Sequence, residues 1–115
     1  PQRIFKTLVV SLDDASLAVA IIPVETMLSL KAVAKALGAK KAQMADKNAV
    51  QRSTGYVLGG VSPLGQKKRL KTLLDQTAGE FESIFVSAGK RGLEIELSPA
   101  DLLKLTQGEN AQLCQ

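Results

Sequence analysis

Residues 4–22 read IFKTLVVSLDDASLAVAII, and this stretch predicts the centre of the fold. Two short apolar runs rich in β-branched residues, 4–12 and 17–22, flank a turn at Asp13 and Asp14, which is the pattern of a β-hairpin. Both runs are more apolar than a strand with one face in water usually is. We therefore expect both strands of the hairpin to be covered on both faces.

Helices and further strands follow the hairpin without a regular repeat. Residues 29–37 place apolar side chains on one helical stripe between a serine cap and a glycine stop, and residues 98–107 add a proline at the first helical position. Asp46 is expected to cap a brief helix that runs to about Arg52. This order predicts an α/β (α+β) domain with a mixed sheet. Further strands are predicted at residues 39–44, 70–74, 83–87 and 93–97.

Length and composition limit the possible functions. A chain of 115 residues with 45% hydrophobic content suffices for one domain, and its net charge of +4 is compatible with a polyanionic partner. There is no histidine and a single cysteine, Cys114, so the common catalytic and metal-binding sets and an internal disulfide framework are excluded. No apolar run is long enough to cross a bilayer and no signal peptide opens the sequence, so a reducing, cytoplasmic setting is expected.

Lys6 interrupts the first strand of the hairpin. Alternation along a strand places it in one row with Ile4, Leu8 and Val10, so its ammonium group would emerge among apolar neighbours. A charge in that position is costly unless it reaches a cavity, a partner or a ligand. The alternative is that Lys6 extends to the surface from the strand end.

The segment QRSTGYVLGGVSPLGQKK, residues 51–68, combines a glycine-rich loop with positive charge. Gly59, Gly60 and Pro63 bound a GxxxP element, in which glycine permits unusual backbone angles and proline fixes the exit of the loop. Such a loop can offer backbone N–H groups to a carbonyl or phosphate oxygen. The alternative is a tight connection between core elements.

Two groups of cations suggest contacts to a phosphate backbone. Lys90 and Arg91 lie in the small-residue turn SAGKRG, residues 87–92, which suits a phosphate or a terminal ribose but is also typical of a solvated hairpin tip. A second cluster could hold RNA through a salt-sensitive attraction, although charge runs are more often solvated faces. It consists of Lys67, Lys68, Arg69 and Lys71. With one tyrosine, Tyr56, no tryptophan and three phenylalanines, a base-stacking platform is poorly supported.

These segments together suggest a family. IFKTLVV, SLKAVAKALGAKKAQMAD, QRSTGYVLGGVSPLGQKKRL and SAGKRGLEIEL resemble the YbaK-type trans-editing deacylases, which remove cysteine from mischarged Cys-tRNA(Pro) and are related to the editing domain of bacterial prolyl-tRNA synthetase. The resemblance covers almost the whole chain. It implies a mixed, barrel-like sheet with flanking helices, and the aminoacyl end of tRNA in a pocket between the sheet and the GxxxP loop. It also implies no cofactor or metal, and prolyl-tRNA synthetase as a docking partner.

The resemblance implies roles for individual residues. Lys6 matches the essential lysine of the family and Thr7 the threonine beside it, while Glu94 stands where close relatives often have aspartate. Other matched positions form the loop and the S-x-G turn that bind the substrate. They are Gly59, Gly60, Val61, Ser62 and Pro63 in the loop, and Ser87 and Gly89 in the turn. Family members carry a helix and a strand ahead of the lysine strand, so we expect an N-terminal segment beyond this sequence.

The resemblance also implies a mechanism. In YbaK-like enzymes the thiol of the attached cysteine attacks its own ester carbonyl, so the protein supplies orientation and charge rather than a nucleophile. This agrees with the missing histidine. The alternative function is a non-catalytic adaptor that binds RNA or a synthetase with the same pocket.

Overall fold

The predicted hairpin forms the middle of the larger β-sheet in the computed structural model, which describes residues 3–56, 60–66 and 70–115. Strand β1 (Phe5–Leu12) pairs antiparallel with β2 (Leu17–Pro23) in an unbroken register. Five consecutive residues of β2 are buried, because strands and helices cover the hairpin. The expectation of a doubly covered hairpin is confirmed for β2, whereas Lys6, Thr7 and Leu8 of β1 are only partly buried.

The sheet is mixed, as the sequence predicted. Within the described residues it has the order β3-β1-β2-β4-β7, in which β4 runs parallel to β2 and β7 parallel to β4, while β5 and β6 form a separate antiparallel pair. The remaining elements follow in chain order. They are α1 (Leu30–Ala36), β3 (Ala42–Met44), α2 (Lys47–Thr54), β4 (Lys71–Asp75), β5 (Ile84–Lys90), β6 (Leu93–Leu97), α3 (Pro99–Thr106) and β7 (Glu109–Ala111).

Alternation along the hairpin divides the core between the two faces of the sheet. On one face, Val10 and Ile22 pack with Val33 of α1; on the other, Ile21 packs with Leu102 of α3. Every one of these side chains is fully or almost fully buried. Burial of this apolar surface, at roughly 25 cal/mol per Å², is the main force that holds the helices against the sheet.

The helices begin at the residues that the sequence predicted as caps. The Oγ atoms of Ser29 and Ser98 accept the N–H groups of Ala32 and Asp101, at 3.1 and 3.0 Å. In the same way, Asp46 accepts two N–H groups at the start of α2. These side chains satisfy donors that have no partner inside a helix, which is why the beginnings of the helices could be predicted.

Two predicted strands have other bounds, and one strand was missed. The strand predicted at residues 39–44 covers Ala42–Met44, because the N–H groups of Lys40 and Lys41 bond instead to the carboxylate of Asp13. The strand predicted at 83–87 continues to Lys90, past a register shift, and β7 was not predicted at all. The sheet is also not a closed barrel within the described residues, because β5 meets β1 at a single bridge, Ile4 to Phe85.

Candidate active site

One cavity of about 450 Å³ gathers many of the predicted site residues. It lies between the first half of β1, the loop before β4 and the turn between β5 and β6. Its apolar lining includes Phe5, Leu8, Val24, Met44 and Leu93. The predicted site residues that line it are Lys6, Thr7, Val61, Ser87, Lys90, Arg91 and Glu94.

The cavity opens on a gap in the sheet beside Thr7. The N–H group of Val24 donates to the carbonyl of Ile4 at 2.9 Å, so even-numbered residues of β1 direct their backbone groups toward β2. Thr7 therefore directs its backbone N–H and C=O away from β2. Among the described residues, pairing on that side begins with the bond from the N–H of Ala45 to the carbonyl of Val9, and pairing with β5 ends at Ile4. The gap between them offers a backbone donor and acceptor to a ligand.

Lys6 is half-buried and lines this cavity. It lies on the same face of β1 as the apolar side chains of Leu8 and Val10, as predicted from alternation. Among the described residues, no carboxylate comes within ion-pair distance of its ammonium group, and the ion pair that is present joins Arg3 to Glu96. A half-buried cation without a protein partner is suited to an anionic ligand.

Thr7 has a buried hydroxyl group that makes no hydrogen bond. Its Oγ1 atom is inaccessible to water and has no partner in the part of the chain that the structure describes. Buried polar groups in native proteins are nearly always paired, so an exception needs an explanation. Within the described residues this hydroxyl is such an exception, on a residue that lines the site cavity.

The loop and the turn come into direct backbone contact at Gly60. A Cβ atom added there would lie 3.3 Å from the amide nitrogen of Arg91 and 3.4 Å from the carbonyl oxygen of Gly89. Glycine is needed because any side chain would push these two backbones apart. The contact places the next residue, Val61, on the cavity wall.

The other described residues of the loop have structural contacts. The Oγ atom of Ser62 accepts the N–H of Leu64 at 3.2 Å, and the carbonyl of Ser62 accepts the side-chain amide of Gln66 at 3.0 Å. Ser62 is 2% exposed, and Pro63 lines a different cavity beside Leu105. The structure thus gives Ser62 and Pro63 a role in shaping the loop, and neither lines the site cavity.

The turn between β5 and β6 directs its polar residues into the cavity. Ser87 faces Glu94 across the strand pair, and its Oγ atom accepts the N–H of Gly89 at 3.1 Å. The register then shifts before Lys90, at a glycine with a φ of +107°. This irregularity turns Lys90 and Arg91 toward the cavity, where both are exposed on its rim.

Some predicted positions fall outside the described residues or away from the cavity. Gly59 and the cations Lys67, Lys68 and Arg69 lie outside the described residues. Gly89 contacts the ring of Tyr56 rather than the cavity. The role of Tyr56 was missed, although its place as the single tyrosine just before the glycine loop was a signal in the sequence.

Cys114 has no place in the chemistry of the cavity, which it does not line. Burial raises the pKa of its thiol, although a hydrogen bond to Thr26 and the nearby Lys6 ammonium act in the opposite direction. The thiol therefore stays protonated at neutral pH and is a poor nucleophile. In the described ranges, no three metal-ligating side chains come together, and no helix is long and apolar enough to span a membrane.

Comparisons with known proteins agree with this geometry. The sequence profile of the aminoacyl-tRNA editing domain matches residues 1–105. A protein of Enterococcus faecalis, EbsC, described as a candidate Cys-tRNA(Pro)/Cys-tRNA(Cys) deacylase, is 46% identical over 111 residues, which are 96% of this chain and 68% of that protein.

Solved structures share the fold. A scaffold protein used for epitope backbone grafting by computational design superposes with a TM-score of 0.93 at 25% identity, over 99% of this chain and 72% of that chain. A candidate trans-editing enzyme for prolyl-tRNA synthetase superposes with a TM-score of 0.89 at 23% identity, over 99% of this chain and 71% of the other. The second likeness bears on the fold alone.

Proposed function

The chain belongs to the aminoacyl-tRNA editing domain family, and from that premise we propose that it is a trans-editing deacylase that removes cysteine from mischarged Cys-tRNA(Pro). The observation that carries the proposal is the shared cavity of Lys6, Thr7, Val61, Ser87 and Glu94. Three strands, β1, β5 and β6, and the loop before β4 converge there, beside a gap in the described part of the sheet.

Positive charge at the cavity would hold the end of the tRNA. Lys6 lies inside, while Lys90 and Arg91 lie on the rim, so the cations can contact the terminal phosphate or ribose while the aminoacyl group enters the cavity. The apolar lining suits a small side chain such as that of cysteine. The backbone groups of Thr7 can orient the aminoacyl group at the sheet edge.

The bond-breaking nucleophile would come from the substrate. The cysteine sulfur attacks its own ester carbonyl, a C–S bond forms, the ester C–O bond breaks, and the thiol proton passes to the departing ribose oxygen. A thiolactone and free tRNA result. Because sulfur and carbonyl already belong to one molecule, the protein contributes by holding them in the conformation in which they react.

Backbone N–H groups of the loop that contains Gly60 and Val61 would stabilise the oxyanion in this reaction. One such donor contributes roughly 3 kcal/mol in the transition state. The close contact of Gly60 with the turn at Arg91 fixes the loop, so its donors need little reorganisation when charge develops. The protein thus acts through position and electrostatics.

Prolyl-tRNA synthetase would be the docking partner, and the cytoplasm the compartment. The 115 residues of this chain leave little surface for reading tRNA identity once the aminoacyl end fills the cavity. Binding to the synthetase would present tRNA(Pro) soon after mischarging, with the gain in effective concentration that a shared complex provides.

The direct test is release of labelled amino acid from charged tRNA. Cys-tRNA(Pro), Ala-tRNA(Pro), Ser-tRNA(Pro) and Pro-tRNA(Pro) are incubated with the protein under single-turnover conditions. We expect rapid release from Cys-tRNA(Pro) and slow release from the other three, because only cysteine carries a thiol. Binding of Cys-tRNA(Pro) without release would instead support the adaptor function, and equal release from all four would contradict attack by the substrate thiol.

A further inference from the structure

Tyr56 connects the two segments that face Lys6 and Thr7 across the cavity. Its hydroxyl group donates to the carbonyl of Leu64 at 2.5 Å, at the far end of the loop. Its ring lies against Gly89, where an added Cβ atom would be 2.7 Å from Cε1 of the ring. One side chain thus holds the loop by a hydrogen bond and the turn by packing.

The backbone of Tyr56 is itself anchored in the core. Its N–H donates to Oγ1 of Thr54 at 3.1 Å, and that hydroxyl donates to the carbonyl of Val50 at 2.7 Å. Thr54 is 1% exposed and Val50 is fully buried. The ring also packs on the small apolar cluster that contains Val50 and Val61. Tyr56 therefore extends from the end of α2 as a fixed support.

Tyr56 does not line the cavity, so it has no contact with the reacting atoms. Its contacts reach the residues on either side of the cavity wall. Gly60 touches the turn at one end of the loop, and the Tyr56 hydroxyl holds Leu64 at the other end. These two contacts hold the loop on both sides of Val61, whose side chain lines the cavity with Ser87.

We propose that Tyr56 is a positioning residue for deacylation, and that its hydroxyl group sets the place of the loop whose backbone stabilises the oxyanion. The inference rests on the proposed function. Without the bond to Leu64, the loop keeps its contact at Gly60 but gains freedom at its other end. Substrate binding by Lys6, Lys90 and Arg91 is unaffected, so the loss falls on the chemical step rather than on affinity.

The test compares Tyr56→Phe with Thr106→Val. Both changes delete one hydroxyl that donates to a backbone carbonyl, but Thr106 bonds to Leu102 within α3 and lies outside the cavity. For Tyr56→Phe we expect kcat to fall about tenfold or more with KM within about twofold, because small misplacements of catalytic groups are costly. Thr106→Val should keep wild-type kcat.

Amide hydrogen exchange provides a second readout that does not depend on activity. In Tyr56→Phe, exchange should increase in residues 60–66 while the hairpin of β1 and β2 keeps its protection. An unchanged kcat in an active wild-type background would overturn the inference while leaving the proposed function intact. A fall in kcat with faster exchange throughout the chain would also overturn it, since that pattern means general destabilisation. A wild type that releases no amino acid would overturn both proposals.

Discussion

Two hairpins form opposite walls of the cavity, and they are built differently. The β1–β2 hairpin lies in the middle of the larger sheet with an unbroken register, and it carries Lys6 and Thr7. The β5–β6 hairpin pairs with a register shift after Ser87, and β6 is exposed from Leu93 to Glu96. One wall is fixed by the core, whereas the other depends on a few specific contacts.

The difference shows how one wall of a site can be held by the core while the other stays open to the substrate. Lys6 lies on a strand whose residues Phe5 and Val10 pack into the core on opposite faces of the sheet, and this packing offsets the cost of the half-buried charge. The turn with Lys90 and Arg91 stays exposed, where a tRNA end can approach it. Contacts at Gly60 and Tyr56 hold that turn close enough to complete the cavity.

Removing the charge of Lys6 from the β1–β2 wall should lower the rate of deacylation more than any other change. Lys6→Ala is expected to lower the rate of deacylation by about 10³-fold, because a charge aimed at the reacting end of the substrate is lost. Its melting temperature should stay close to that of the wild type, since Lys6 has no ion-pair partner among the described residues. Single-turnover release and thermal melts measure both quantities. Lys31→Ala, at an exposed position in α1, is the control, and wild-type turnover in Lys6→Ala would remove Lys6 from the site.

Separating the loop from the β5–β6 wall should have the next largest effect. Gly60→Val places a branched side chain where even a Cβ atom lies 3.3 Å from the backbone at Arg91, so we expect the rate to fall about 10²-fold. Gly79→Val is the matched control, because nothing lies within 4 Å of a Cβ atom there. Equal rates in the two variants would mean that contact between loop and turn does not matter for catalysis.

Thr7→Val should lower the rate of deacylation while it raises the stability of the protein. Replacing the unpaired hydroxyl with a methyl group of similar shape is expected to raise the free energy of unfolding by about 1 kcal/mol, while deacylation falls roughly tenfold. Denaturant titration and single-turnover assays measure the two effects. Thr106→Val deletes a hydroxyl that is paired with Leu102, so it should lose stability instead. A destabilised Thr7→Val would show that the hydroxyl has a partner in the free protein.

The smallest effect should come from removing the contacts that Arg3 makes with the β5–β6 hairpin. The guanidinium group of Arg3 bonds to Ser83 and Glu96 and lies 5.1 Å from the ring centre of Phe85. Because this pair is about half exposed, Arg3→Ala should lower the free energy of unfolding by less than about 1 kcal/mol, with a smaller difference in high salt. Denaturant titration at two salt concentrations tests this. A loss of several kcal/mol would mean that the second hairpin depends on Arg3 for its place.

Local signals explain which parts of the site could be predicted. Lys6 and Thr7 share a strand that alternation and β-branched residues identify, and the loop and turn were visible as glycine patterns. The sequence did not show which loop residues line the cavity and which only shape the loop. Ser62 and Pro63 belong to the same motif as Val61, and only the hydrogen bonds of Ser62 reveal its structural role. Likewise, the apolar lining at Val24, Met44 and Leu93 comes from segments that meet only in three dimensions.

The sequence by itself determined the hairpin, the helix caps and the lack of a histidine nucleophile, since these depend on neighbours along the chain and on composition. Tertiary structure decided the gap at Thr7 in the described part of the sheet, the support that Tyr56 gives to the loop, and the placement of β7 beside β4. Each of these requires contacts between residues distant in sequence. Such contacts depend on how whole elements pack, because local propensity does not specify which edges and faces meet.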